Sequence, residues 1–114
     1  ITLRMNPADL EGYPNVPPLV SAWPPELFRL GLERTWIRVM AAWARIRIYA
    51  ETYGIDRVAL ISHAYPIKCL ILNWLGYDWR ANGRFRIPVD MASSSRITLG
   101  DGDTVHLDWL NRLP

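Results

Sequence analysis

The sequence predicts an α/β fold, and three observations carry that reading. The run Val58-Ala59-Leu60-Ile61 is short, continuously apolar and flanked by polar residues, as in a strand buried within a parallel sheet. A long segment before it, from Leu32 to Tyr53, places Trp36, Val39, Met40, Trp43, Ile46, Ala50 and Tyr53 at three- and four-residue steps, the period of a helix with a broad apolar face. Near the end, Val105, Leu107 and Trp109 alternate with His106 and Asp108, the period of a strand covered on one face.

Residues 1–25 contain six of the nine prolines. Proline removes backbone donors and clashes with both helix and central strand, so this stretch reads as a wrapping loop anchored by Tyr13, Val16, Leu19 and Trp23. Asp9 and Glu11 are its only carboxylates, and solvated loop acids are their plain reading. Residues 26–114 then form the folded part of a single domain. Pro24-Pro25-Glu26 suits a helix start and Gly54 a helix stop, with Gly31 separating a short first piece, Glu26–Leu30, from the main helix. The aromatic stripe of that helix reads as core packing.

The chain is organised around residues 57–76. The predicted strand Arg57–Ser62 leads into His63, and a helix follows with Pro66 in its first turn and Gly76 just past its end. Ligands of open α/β sheets sit beyond the carboxyl ends of strands, where a helix N-terminus offers free N–H groups and partial positive charge. His63 and the amides after it are therefore a candidate anion site, the alternative being a histidine that merely caps or fills the turn. Residues 77–86 read as a loop. Arg96–Leu99 and Thr104–Trp109 read as a hairpin around Gly100-Asp101-Gly102-Asp103, with His106 on its solvent side.

Composition sets the bounds. With 114 residues, half of them apolar, the chain makes one small domain. The net charge of +2 is dispersed, and Lys68 is the single lysine among 13 basic residues. No basic run of the kind that binds nucleic acid is present, and no apolar run nears the roughly 18 residues of a membrane span. Cys69 is alone on an apolar helix face, which fits a core residue in a reducing compartment; with no signal-peptide pattern, the expected location is cytoplasmic. The sequence begins at Ile1 without an initiator methionine, as a processed, trimmed or partial chain would.

The string from Val58 through Ser62-His63-Ala64-Tyr65-Pro66 to Leu75-Gly76 resembles the second histidine motif of the histidine phosphatase superfamily, the group of cofactor-independent phosphoglycerate mutases and related phosphatases. Gly31-Leu32-Glu33 followed by Arg38 is similar to the family's Gly-Glu-Ser entry into a long helix. Asp90-Met91-Ala92-Ser93 through Leu99 is similar to the segment feeding its last strands, and Leu110-Asn111 to a common family ending. The likeness spans about residues 26–114, all in the family's C-terminal part. It implies a three-layer α/β sandwich of the phosphoglycerate-mutase type, a phosphate-ester small molecule as substrate, and neither cofactor nor metal. His63 would bind and polarise the phosphoryl group together with the Ala64 amide.

The departures are equally definite. No Arg-His-Gly occurs in the sequence, so the nucleophilic histidine is missing, and the second phosphate-binding arginine is not identifiable. Leu10-Glu11-Gly12 matches only the end of the acid-bearing pattern, leaving Glu11 as a substitute for the catalytic acid. Ala64 and Tyr65 stand where the family has glycines, and the tyrosine would narrow the pocket or add a hydroxyl to it. Three activities follow as expectations for the intact protein: phosphatase through a phosphohistidine, mutase-type phosphoryl transfer, or a non-catalytic phospho-ligand or interaction role. A lone strand with helices leaves an unpaired edge, so additional polypeptide is expected: a missing N-terminal half, a companion chain, or a second copy in a homodimer.

Overall fold

The computed structural model describes residues 22–102 and 104–114. Two helices and a two-stranded antiparallel sheet follow one another: α1 (Pro25–Thr52), α2 (Ala64–Trp74), a single 3-10 turn at Trp79–Ala81, β1 (Ser94–Leu99) and β2 (Val105–Arg112). Two helices with a two-stranded sheet are compatible with part of an α/β fold. No helix among the described residues is long and apolar enough to cross a membrane.

Helix α1 starts where the prolines require. Pro24 is its N-cap, Pro25 takes a first-turn position whose N–H would have had no partner, and the Phe28 N–H donates to the Pro24 carbonyl at 2.9 Å. The expected break at Gly31 is absent: the helix runs uninterrupted for 28 residues, with Gly31 and Leu32 buried. Glycine weakens a helix by only about 1 kcal/mol relative to alanine, which tertiary packing at a buried site readily offsets. At the other end, Gly54 adopts φ +64 and the Ile55 N–H donates to the Ala50 carbonyl at 2.8 Å. Helix α2 closes the same way, with Gly76 at φ +86, its N–H donating to Asn73 and that of Tyr77 to Leu72. Both are C-terminal motifs that demand a left-handed residue.

The core lies where the helices meet. Val39, Cys69 and Leu70 are buried together, with Trp36, Met40, Trp43, Tyr65 and Trp74 packed around them. Trp43 and Trp74 meet edge to face at 5.2 Å. Four consecutive residues of α2, Cys69 to Leu72, are buried, so this stretch of the helix is enclosed on all sides, while Lys68 and Asn73 flanking it are half-buried. The stripe on α1 is core only in its first half. Tyr53 is exposed, its ring tilted against that of the equally exposed Tyr49 with centroids 4.6 Å apart. Trp23 is buried, as its role of anchor required, while Tyr13, Val16 and Leu19 fall outside the described residues.

The predicted strand Arg57–Ser62 is not a strand here. Residues 55–63 carry no regular structure, and residues 51–61 are exposed throughout. A strand exists only through hydrogen bonds to a neighbour, and the sole sheet among the described residues is the hairpin.

That hairpin forms as expected and runs further at both outer ends. Leu99 pairs with Val105, Thr98 with His106 and Ile97 with Leu107. Beyond them the register slips twice, bringing Arg96 opposite Trp109 and Ser94 opposite Arg112. Two extra residues on β2 absorb the slips, and Asn111 takes a positive φ of 52 there. Its amide ties the strand to the preceding loop: the Asp90 N–H donates to Asn111 Oδ1 and Asn111 Nδ2 donates to Asp90 Oδ2.

Candidate functional site

His63 is the N-cap of α2. Its backbone is extended, φ −110 and ψ 168, and its carbonyl accepts the first helical bond, from the Ile67 N–H at 3.1 Å. The imidazole makes no capping bond and is exposed. A helix leaves its first N–H groups without intrahelical partners. Pro66, third in α2, has no N–H to contribute, so the donors left at this turn are those of His63, Ala64 and Tyr65. The partial positive charge of the helix end adds to them. Chemically, the turn can hold an anion through two or three amides and one imidazole.

The side chains that follow are committed elsewhere. Tyr65 neither narrows nor lines this turn. Its ring packs against the core, and its hydroxyl donates to the Leu32 carbonyl of α1 at 3.1 Å. Burial, with the Cys69 thiol beside it, pushes the phenol well above its ordinary range, so it is a neutral clasp between helices. Burial likewise pushes the Cys69 thiol up to about 11, outweighing the opposing influence of the nearby Tyr65 hydroxyl and Lys68, and keeps it protonated at neutral pH. Cys69 is a core residue, as its position on α2 suggested. Lys68 donates to the Asn82 carbonyl at 2.7 Å, and partial burial lowers its pKa. That contact fixes the loop after α2 and spends the ammonium away from any ligand.

The sequence matches the family model of the histidine phosphatase superfamily (branch 1) over residues 18–112. The chain belongs to the histidine phosphatase superfamily. No curated protein and no solved structure matches it.

Within that family frame, the expected site residues separate. His63 and Ala64 are adjacent at the α2 turn, and both are exposed. Glu11 lies outside the described residues, as does every other residue before Ala22. Gly31-Leu32-Glu33 is brought to the start of α2 by the Tyr65 clasp, so the two segments likened to family motifs do meet in space. His106 is on the hairpin and exposed, in the strand-face position expected of it. Among the described residues no three His, Cys, Asp or Glu side chains converge as a metal ion would require.

One cluster escaped the sequence reading. Asp108 accepts from Thr98 Oγ1 at 2.6 Å, lies 2.7 Å from His106 Nδ1, and has Arg96 Nε at 3.5 Å. These bonds, Thr98 first and His106 next, hold its carboxyl below the usual carboxylate range. With Asp108 ionised it can only accept, so the imidazole proton sits on Nδ1. Alternation had marked His106 and Asp108 as one polar face, but the cross-strand partner Thr98 depended on a register that sequence does not give.

Proposed function

We propose that the intact protein hydrolyses phosphate monoesters through a phosphohistidine, and that this chain supplies the half of the site built on His63. The observation that carries this is the α2 turn: an uncommitted imidazole and unpaired amides at one helix N-terminus, in a member of a phosphatase and mutase family. His63 and the Ala64 N–H hold the phosphoryl oxygens and draw negative charge from phosphorus. A histidine on further polypeptide attacks in line, forming a P–N bond as the P–O ester bond breaks. The leaving oxygen takes its proton from an acid, for which Glu11 is the candidate in this chain. Water then attacks phosphorus, breaks the P–N bond and releases inorganic phosphate. The complete domain is a three-layer phosphoglycerate-mutase-like sandwich, and the lone buried Cys69 suits a cytoplasmic setting.

Mutase-type transfer uses the same atoms with a hydroxyl acceptor in place of water. A second reading is a non-catalytic phospho-ligand or interaction protein on the same scaffold, which would use the same exposed imidazole and helix start to hold phosphate without turning it over.

The experiment has two arms. In phosphate titration of the chain followed by NMR, His63 and Ala64 shift at millimolar phosphate; no shift there removes the anion site. With p-nitrophenyl phosphate, the chain alone is inactive. The protein expressed from its complete gene turns over, forms an acid-labile phosphoryl adduct, and loses at least roughly a hundredfold in rate on His63→Ala. Phosphate binding without turnover by the complete protein selects the non-catalytic reading.

A further inference from the structure

Helix α1 has two long faces. Gly31, Leu32, Thr35 and Val39 are buried on the side toward the core. On the opposite side Ile37, Ala41, Ala44 and Ile48 are exposed, the two isoleucines by 58% and 64%. Their spacings of four, three and four residues draw a stripe along one face of the helix. Arg34 lies three residues before the stripe and Glu51 three after it.

This face is complementary to itself. Arg34, Ile37 and Ala41 in one direction are matched by Glu51, Ile48 and Ala44 in the other, at the same spacings. When a second copy is laid on it antiparallel, with a two-fold axis between positions 42 and 43, each Ile37 opposes Ile48 and each Ala41 opposes Ala44. At both ends of the contact Arg34 opposes Glu51.

We infer that this face of α1 is a homodimer contact, in which two α1 helices cross antiparallel at Ala41 and Ala44. A two-fold contact requires such self-complementarity, because residue i meets residue j twice. The alanines let the helix axes reach the near end of the usual 8–10 Å range. The isoleucines fill the layers on either side of the crossing. Glu51 has Arg47 of its own helix at 3.9 Å, an exposed pair that contributes little and leaves the carboxylate able to turn to a second copy. A membrane surface fits the face less well, since Glu33 and Glu51 sit along its edge, where anionic lipid repels them.

The pair is a weak one. From Arg34 to Glu51 the contact is about 26 Å long, and a single helix pair of that length stays below the roughly 1,200 Å² of standard interfaces. Arg38 and Arg45 lie on one flank of the stripe and oppose each other across the axis, which weakens it further. None of these residues belongs to the His63 turn, so the contact stands or falls apart from the phosphatase reading.

Sedimentation from about 1 µM to about 1 mM spans the expected affinity, for the 114-residue chain and for the protein expressed from its complete gene. Expected is a reversible dimer in both. Ile48→Asp raises the dissociation constant at least roughly tenfold with an unchanged circular dichroism spectrum. Glu51→Arg weakens the dimer severalfold, and Arg45→Glu strengthens it. Cross-linking reads the register, with Cys69 buried out of reach. A short thiol cross-linker joins Ile37→Cys to Ile48→Cys when the two variants are mixed. It joins neither to itself, because equal positions lie about 16 Å apart along the axis. A monomer throughout overturns the inference, and so does dimerisation in only one of the two proteins. A dimer indifferent to Ile48→Asp pairs through another surface and overturns it as well. Self-linking of either cysteine variant, or the opposite sign for either charge variant, overturns the antiparallel register.

Discussion

Leu72 and Ile61 are aliphatic residues of similar size on either side of the His63 turn. One is fully buried and the other is 94% exposed. The contrast extends to their surroundings. The α1–α2 pair closes a core, buries Thr35, Val39 and Cys69 to within 1% of complete enclosure, and ends both helices with glycine-based motifs that satisfy the last carbonyls. The segment from 55 to 61 and the hairpin surround a groove instead. A helix bonds its backbone to itself, so it needs a neighbour only for its side chains. A strand needs a neighbour for both, and residues 57–61 have no backbone partner among the described residues and only partial cover for Val58 and Leu60.

The sharpest way to break this comparison is to truncate both residues. Leu72→Ala in the 114-residue chain should cost about 2–5 kcal/mol, the loss of transfer energy plus a cavity that rigid neighbours cannot fill. Ile61→Ala should change stability by no more than about 0.5 kcal/mol, as for an exposed position. Denaturant unfolding of the two variants reads the difference directly. Equal losses would mean that Ile61 is covered in solution and that the open edge is closed by the chain itself.

Next in size come the devices that hold the helices. Gly76→Ala meets no steric obstacle, since nothing lies within 4 Å of the new methyl, but φ +86 is outside the range alanine accepts. It should cost about 1–2 kcal/mol. Tyr65→Phe removes the hydroxyl that donates to Leu32 and should cost about 0.5–1.5 kcal/mol. It also discriminates between two placements of Tyr65. A helix clasp predicts lower stability with an unaltered phosphate titration at His63, whereas a pocket residue predicts the opposite.

The same division explains what was legible in the sequence. Helix ends were readable because their causes are local: proline at a first turn, glycine where φ must be positive. Cys69 was readable as core from its position on one helix face. The hairpin was readable from alternation around Gly100 to Asp103, though its two slips were not, since the count of residues at a bulge depends on both strands. Residues 57–61 show the limit. Their apolar run has the composition of a strand and the structure shows none there, because strand structure belongs to a pair and sequence names only one member. Gly31 misled for a related reason: its intrinsic cost in a helix is local, and the burial that offsets it is not. The candidate site divides likewise. Local signals placed His63 and Ala64 at the start of a helix, Tyr65 was misplaced because its partner Leu32 lies 33 residues away, and the Asp108 cluster needed the cross-strand register.

The smallest expected effect concerns that cluster and tests whether the hairpin behaves as a closed unit despite its open edge. Asp108 is held below the usual carboxylate range by the hydrogen bonds from Thr98 and His106. The folded state therefore binds the carboxyl proton less tightly than the unfolded state. Its contribution to stability is complete above the ordinary carboxylate pKa, near 4, and is lost as pH falls through the lower folded value. Thr98→Val removes the leading cause while keeping the side-chain shape, so the Asp108 pKa should rise toward its ordinary value, and the acid-side loss of hairpin order should begin at higher pH. Carboxyl carbon chemical shifts of Asp108 measure the first effect, and the cross-strand amides of Leu99 and Val105 report the second. Arg96 contributes little, because its side chain is 57% exposed at 3.5 Å from the carboxylate, where solvent and salt screen the attraction. Added salt should accordingly leave the Asp108 titration almost unmoved. A titration at the ordinary value in the unmodified chain would mean that the two hydrogen bonds, from Thr98 and from His106, do not persist in solution.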